Sequence, residues 1–384
     1  MIKFVSILCN CIVLTGCQTF SDPSRNPAAQ TLAHAVPSLT PRETIEQFFD
    51  LQYEAYTHLQ YRDISGLLDM QQAENRNETI WLKTLIQRRK LIEKHHFCYV
   101  ETKRFPYTIT FDKAAKDDRM EIIEQDVAGD QVTVHFTITG KKGHIYPPFL
   151  ALNAQHTMRL RQADGKWIIT HHFFPGSEQK FGFETALVLP SEQKMLKQLK
   201  KEFRTPPAQN SSAQTISPPD AAVYHGRRAA DYAKAYTETA NPDFYRISDW
   251  MGNCSNFTSQ CIWYCFCTDA EEPQEIMTPE WFAGTGGGSP AWENVMHFWD
   301  YAASEKESGL TGESIDFILQ LRPGDLIQIA TKHSENSKEN YNHSLLLVDS
   351  TTLILAQNTP NCFVYYSDLV YADIRFFHPK YRLN

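Results

Sequence analysis

Two kinds of hydrophobic pattern alternate along the chain, and the alternation occurs twice. Past residue 40, Ile45, Phe48, Phe49, Tyr53, Tyr56 and Leu59 recur three and four apart, the spacing of one buried helix face. Thr40-Pro41-Arg42-Glu43 stands just ahead of them as a capping box with proline at the first helical position. A second helix is expected over 78–94. The pattern then changes to short strands, expected at 97–103, 107–111, 120–126, 131–139 and 157–161, with Asp164-Gly165 as a hairpin turn before 167–174. Helices followed by an antiparallel meander predict an α+β domain over 40–203, closed by a lysine-rich exposed helix at 191–203.

Residues 204–220 are rich in Pro, Ser and Gln and read as an interdomain linker. The second domain, 221–384, repeats the order. A helix runs to about residue 239 and stops at Asn241-Pro242; others begin near Cys254 and cover 291–302. After Pro323-Gly324 come strands at 325–331, 344–349, 352–356, 362–366 and 374–377. The expected fold class is α+β in both halves, and helices before antiparallel strands is also the order of a papain-like domain.

The amino terminus follows neither pattern. Residues 1–17 carry Lys3, then a short apolar stretch ending in small residues, which reads as a secretory signal too short to span a membrane as a mature helix. Leu14-Thr15-Gly16-Cys17 resembles the lipobox of bacterial lipoproteins, which implies lipidation at Cys17. Residues 18–39, polar and rich in Ser, Pro and Ala, read as a tether. The expected location is the bacterial cell envelope, exported and lipid-anchored, with the lipid as the membrane contact.

Composition narrows the function classes. The 384 residues carry 37 Lys+Arg against 45 Asp+Glu, a formal net charge of −8. From residue 222 onward the count is 11 basic against 21 acidic residues. That argues against nucleic-acid binding, which needs a basic face. Of nine cysteines, six lie beyond Cys17, and an oxidising compartment would allow some to pair.

The candidate chemistry begins at Gly252-Asn253-Cys254-Ser255-Asn256-Phe257-Thr258-Ser259-Gln260-Cys261. Gly252 permits a sharp turn and Cys254 then falls at a helix amino terminus, where free N–H groups and the macrodipole favour a thiolate and can serve an oxyanion. A buried structural cysteine, or half of a disulfide with Cys261, is the alternative for the same residue. Downstream, Tyr341-Asn342-His343-Ser344 puts a histidine at the mouth of an apolar strand, which suits a Cys–His pair. Asn358, at the turn after the next strand, is the expected orienter of that imidazole. Cys261, Cys265 and Cys267 with Asp269 fit no zinc spacing, so no metal and no cofactor is expected. The glycine-rich 284–289 lacks the frame of a phosphate loop and reads as a flexible loop near the cleft.

These residues resemble a known family. Arg227-Arg228-Ala229-Ala230-Asp231-Tyr232-Ala233, Asn241-Pro242, the Cys254 motif, Ser289-Pro290-Ala291-Trp292, Pro323-Gly324-Asp325 and His343 together resemble the putative amidase domain of bacterial exported proteins, akin to papain-like amidohydrolases. The resemblance implies an amide-bond hydrolase with Cys254 and His343 as its dyad. It departs at Asn253, where the family usually has an acidic residue, and at Asn358, where a family histidine is replaced. The first domain resembles the nuclear-transport-factor-two-like fold in element order alone.

The expected protein is therefore an exported, lipid-tethered cysteine amidohydrolase acting on amide bonds, with peptidoglycan stem peptides as the leading substrate. Cys254, His343 and Asn358 would be catalytic; Asn253, Ser255, Gln260 and Trp292 would line the site or the oxyanion pocket. A catalytically silent envelope-binding module, for wall peptide or a protein partner, and a peptidase acting on proteins are the alternatives.

Overall fold

In the computed structural model, the described residues are 39–112, 130–182, 187–205, 221–222, 224–247, 252–266, 276–331 and 341–382. The chain begins with α1 (Pro41–His58), capped as expected: the Thr40 hydroxyl accepts from the Glu43 amide at 3.2 Å and the Glu43 carboxylate accepts from the Thr40 amide at 2.8 Å. Next come α2 (Ala73–His95), β1 (Tyr107–Phe111), β2 (Gln131–Gly140), β3 (Gln155–Ala163), β4 (Lys166–Phe173), α3 (Ser177–Phe181) and α4 (Glu192–Glu202). The four strands pair in chain order as an antiparallel meander. Asp164 and Gly165 both adopt positive φ, 51° and 74°, which is the twist a two-residue hairpin turn needs. Ile45, Phe48, Phe49 and Tyr53 of α1 share one core with Phe136, Met158, Leu160 and Ile169 of the sheet.

The second half runs β5 (Ala221–Ala222), α5 (Gly226–Tyr236), α6 (Cys254–Phe266), the two-residue strands β6 (Ala283–Gly284) and β7 (Gly287–Gly288), α7 (Pro290–Glu293) and α8 (Val295–Ala302). It continues through β8 (Gly309–Ile315), β9 (Leu326–Ala330), β10 (His343–Asp349), β11 (Ile354–Gln357), β12 (Cys362–Tyr365) and β13 (Asp373–Arg382). Its sheet has the order β12-β11-β10-β9-β13-β5, with β8 also paired to β13, and the pairs are antiparallel. The whole is α+β.

Alternation along the central strands gives the sheet two buried faces. Leu326, Leu346, Val348 and Ala356 face a core shared with Phe257, Cys261 and Ile262 of α6. Ile327, Ile329, Leu345, Leu347 and Leu355 form a second cluster, against which Cys98 and Phe203 of the first half pack. A strand buried on both faces reads as a continuous apolar run, as Leu345-Leu346-Leu347-Val348 does.

The two halves share a buried polar seam. Arg89 of α2, fully buried, pairs with Asp368 just after β12 and donates to the Glu101 carbonyl; the Tyr56 hydroxyl donates to the other Asp368 oxygen at 2.9 Å. Beside it the Glu202 carboxylate accepts from Tyr366 at 2.6 Å and Tyr371 at 2.8 Å, with Arg88 4.0 Å away. All described residues belong to one compact unit.

Several expectations change. Residues 97–103 form no strand. The helix expected over 291–302 is broken at Asn294, whose side-chain oxygen accepts from the Met296 and His297 amides and so starts α8 afresh. β8 was not expected: Gly309-Leu310-Thr311-Gly312-Glu313 shows little alternation, and pairing to β13 supplies what local propensity does not. Residues 284–289, read as a loop, form the β6–β7 hairpin. The expected strand 120–126, residues 206–220 of the expected linker over 204–220, residues 1–38 of the expected signal and tether over 1–39, and Cys267 with Asp269 lie outside the described residues. Among the described residues no helix is long and apolar enough to cross a membrane, and no cluster of His, Cys, Asp and Glu is placed to hold a metal ion.

Candidate active site

Gly252 takes φ +78°, a backbone conformation that favours glycine, and α6 starts two residues later at Cys254. The first i→i−4 bond here runs from the Phe257 amide to the Asn253 carbonyl at 3.0 Å, so the amides of Cys254, Ser255 and Asn256 precede the helical ladder. Cys254 is 7% exposed, and Val295, Ala330 and Tyr341 pack beside it. It is a free thiol, as is Cys261, so the disulfide alternative does not hold. Cys261 and Cys265 are fully buried in the core behind α6.

Three groups converge on the Cys254 sulfur: the His343 side chain, the Ser344 backbone N–H and the Ser255 hydroxyl. Burial pushes the thiol's pKa up, as it does for any thiol losing water. The positive charge and hydrogen bond of His343, with the Ser344 and Ser255 hydrogen bonds, outweigh burial and hold the Cys254 thiol below its ordinary value. Cys261, on the same helix but surrounded by the core, shows the contrast: burial raises its pKa well above the ordinary value.

The partner of the imidazole follows from strand register. β10 pairs β11 with Leu346 opposite Ala356, so His343, Leu345 and Gln357 fall on one face and Asn358 on the other. His343 Nε2 accordingly lies 2.8 Å from Gln357 Oε1. The Gln357 Nε2 donates to Cys362 Sγ at 3.2 Å, which leaves Oε1 as the acceptor toward His343. His343 then carries its proton on Nε2, and Nδ1 remains for the thiol.

The expected orienter, Asn358, does not contact His343. Its Oδ1 accepts from Asn253 Nδ2 at 2.7 Å and its Nδ2 donates to the Thr237 carbonyl at 3.4 Å. Asn253 is likewise a buried connector: its amide donates to the Thr359 hydroxyl at 3.1 Å, and its Oδ1 accepts from the Ile247 amide and Asn256 Nδ2. Both departures from the family pattern therefore meet each other, in a pair that braces the chain before Cys254 against the turn after β11.

Two further expected site residues also belong to this buried network. Asn256 Oδ1 accepts from Gln260 Nε2 and Trp292 Nε1, both at 2.9 Å, and its Nδ2 donates to the Tyr245 carbonyl at 2.7 Å. Gln260 Oε1 accepts from the Tyr232 hydroxyl, which itself accepts from Asn241. Trp292 is fully buried, its ring 4.6 Å from that of Trp281. Gln260 and Trp292 thus hold α5, α6 and α7 together and do not line a substrate groove. Of the four flanking residues expected in the site, Ser255 alone reaches the thiol.

Sequence reasoning missed several neighbours. The Ser344 hydroxyl lies 3.3 Å from that of Ser255 and accepts from Gln328 Nε2 at 3.2 Å. Gln328 Oε1 accepts from Arg375 Nε and Nη2 at 2.9 and 2.6 Å, and the guanidinium sits 3.9 Å from the ring centres of both Trp299 and Tyr341. A chain of hydrogen bonds therefore leads from a held cation to the serines around Cys254. Ser344 follows the candidate histidine directly, a signal available in the sequence; Gln328 and Arg375 required the β9–β13 register, in which they face each other.

A cavity opens on the Gln357 side of His343 and is walled by Trp81 and Lys180 of the first half as well as by His343, Gln357 and Thr359. The arrangement as a whole is a thiol lowered in pKa at a helix amino terminus, a tautomerically fixed imidazole and a cavity beside it. No curated protein and no solved structure matches the chain. Residues 223–374 match the family model described as a putative amidase domain, a description that points to the hydrolysis of amide bonds in general.

Proposed function

We propose that the second half of the chain is a thiol amidohydrolase in which Cys254 is the nucleophile and His343 the general base and acid. The observation that carries this reading is the convergence of His343, the Ser344 N–H and the Ser255 hydroxyl on one buried sulfur, with a net fall in its pKa. His343 Nδ1 takes the thiol proton, and the sulfur attacks the amide carbonyl to form a C–S bond. Amides at the start of α6 stabilise the oxyanion. As the C–N bond breaks, the imidazolium passes its proton to the departing amine. Water then attacks the thioester, giving one proton to His343 and its hydroxyl to the acyl carbon; the carboxylic acid leaves and the thiol is regenerated. Gln357 holds the ring in the required tautomer throughout.

The substrate in this reading is an amide of the cell wall, in peptidoglycan stem peptides, and the protein is held at the envelope by lipid on Cys17. The signal-like residues 1–17 and the lipobox-like Leu14-Thr15-Gly16-Cys17 support the location. The test is digestion of purified peptidoglycan by the chain starting at residue 18, with Cys254→Ala in parallel and released fragments identified by mass spectrometry. Fragments with new amine ends, absent for Cys254→Ala, are expected. Identical fragment patterns from the two proteins would refute the wall substrate.

A further inference from the structure

The hydrogen bonds behind Cys254 run in one direction. Arg375, in β13, faces Gln328 across the β9–β13 register, and its Nε and Nη2 both donate to Gln328 Oε1, at 2.9 and 2.6 Å. A guanidinium has donors only. The other end of the Gln328 amide is fixed as well: Nε2 donates to the Val295 carbonyl at 3.0 Å and to the Ser344 hydroxyl at 3.2 Å. A flipped amide would set its oxygen against that carbonyl and its NH2 against the guanidinium. Ser344 has one hydroxyl proton, and Ser255 Oγ, 3.3 Å away, is its acceptor among the described residues. The Ser255 proton is then left for the Cys254 sulfur. Gln328, Ser344 and Ser255 are each at most 1% exposed, which keeps bulk water from competing for these positions.

The cation that sets this direction is itself held in place. The Arg375 guanidinium is half-buried between Trp299 of α8 and Tyr341, and its Nη2 lies 3.6 Å from Met296 Sδ. Tyr341 and Met296 also pack beside Cys254. Asp300 of α8 and Asp373 of β13 act on the charge of Arg375, but among the described residues no ion pair ties it to either. Its donors go instead to a neutral amide, which passes the polarisation on to Ser344.

We propose that Arg375 is a positioning residue of the hydrolase: acting through Gln328 and Ser344, it aims the Ser255 hydroxyl proton at the Cys254 sulfur. The inference rests on the hydrolase reading and adds to it a device that serves the anionic sulfur. A hydrogen bond to an anion is stronger than one between neutral groups, so the relay favours thiolate over thiol. It serves the reaction twice. The thiolate is the attacking group when the thioester forms and the leaving group when water breaks it.

The test is the pH midpoint of Cys254 alkylation by iodoacetamide in the full chain, followed at the Cys254 peptide by mass spectrometry. The proteins are the parent, Arg375→Met, Ser344→Ala and the double variant. Each single substitution should raise the midpoint by about 0.5–1 pH unit, the size expected for one hydrogen bond to the charged form. In the Ser344→Ala background, Arg375→Met should add less than half of its shift in the parent, because the path is already broken. A charge acting through space would add its full shift there. Ser344→Ala and Ser255→Ala change no charge and repeat the cycle one link nearer the sulfur, so a misfolded Arg375→Met leaves the relay testable; their shifts should likewise fall short of additive. An unmoved midpoint in either single variant of the first cycle, or fully additive shifts in either cycle, would overturn the proposal. The parent is a separate readout. A parent midpoint at or above that of an ordinary thiol would refute the hydrolase reading, whereas a lowered midpoint that Arg375→Met leaves in place would refute this inference alone.

Discussion

His343 Nε2 donates to Gln357 Oε1 at 2.8 Å, and the neighbouring Asn358 turns its side chain to the opposite face of the sheet. The pairing is a consequence of register, so the two amides are expected to separate cleanly on mutation. Gln357→Ala frees the imidazole and should lower turnover about 10–100-fold, with the fall largely in kcat. Asn358→Ala leaves Asn253 Nδ2 without its acceptor and should cost about 1–3 kcal/mol of stability, with the pH–rate profile unchanged. Paired denaturation and pH-rate measurements on the two variants check this. A kcat loss confined to Asn358→Ala would reverse the assignment.

Asn256 is the hub of the network behind the site, with all its side-chain hydrogen-bonding capacity used by Tyr245, Asn253, Gln260 and Trp292. Asn256→Ala should destabilise the protein by about 3 kcal/mol or more, because several buried partners are left unpaired together. Asn256→Asp keeps the acceptor for Trp292 and Gln260 but sets an oxygen against the Tyr245 carbonyl and Asn253 Oδ1. It should therefore rescue little. Urea midpoints for the two variants provide the check, and a near-neutral Asn256→Asp would show that the network is not the brace described.

The Arg89–Asp368 pair joins α2 to the segment after β12 with both side chains fully buried. Removing either partner strands the other charge, and Arg89→Met or Asp368→Ala alone should cost about 3–5 kcal/mol. The double variant Arg89→Met/Asp368→Ala should recover part of that loss. Thermal melts of the three proteins read the coupling; strictly additive losses would contradict it.

A buried histidine makes the first half acid-sensitive. His156 is fully buried, donates from Nε2 toward the Ala151 carbonyl at 3.3 Å, and stands 3.2 Å from His172 Nε2. Burial, with His172 beside it, lowers the His156 pKa from 6.5 to about 3. Between those values the unfolded chain takes up a proton that the folded protein does not, so stability falls as the pH falls. Its contribution is fully present above about pH 6.5 and is lost progressively toward pH 3, on the order of 4 kcal/mol in all. His156→Phe, which keeps the ring against Phe136, should flatten this part of the pH–stability curve measured by denaturant titration.

Much of the architecture was legible because its elements carry local signals. The Thr40–Glu43 capping box, the Asp164-Gly165 turn and the apolar run after His343 each fixed an element within a few residues. The helix start at Cys254 was legible from Gly252 and the apolar spacing behind it. What the sequence concealed depends on pairing between distant segments. Gln357 and Asn358 are adjacent in sequence and both are amides; only the β10–β11 register distinguishes them. Gln260, in the Cys254 motif, and Trp292, in the separate 289–292 motif, looked like site walls, yet their polar atoms point into the core. The His156–His172–Glu78 cluster spans three elements, and adjacency of His171 and His172 said nothing about it. Lys180 lies in a five-residue helix with no pattern of its own, and its place beside His343 follows from packing of the two halves.

The central claim is that His343 activates Cys254, and the most direct measurement is the pH dependence of Cys254 alkylation by iodoacetamide, in the parent and in His343→Ala. The account predicts a midpoint below that of an ordinary cysteine in the parent, and a marked upward shift in His343→Ala, where burial acts with less to oppose it. A parent midpoint at or above that of a free thiol, or one that His343→Ala leaves in place, would contradict it.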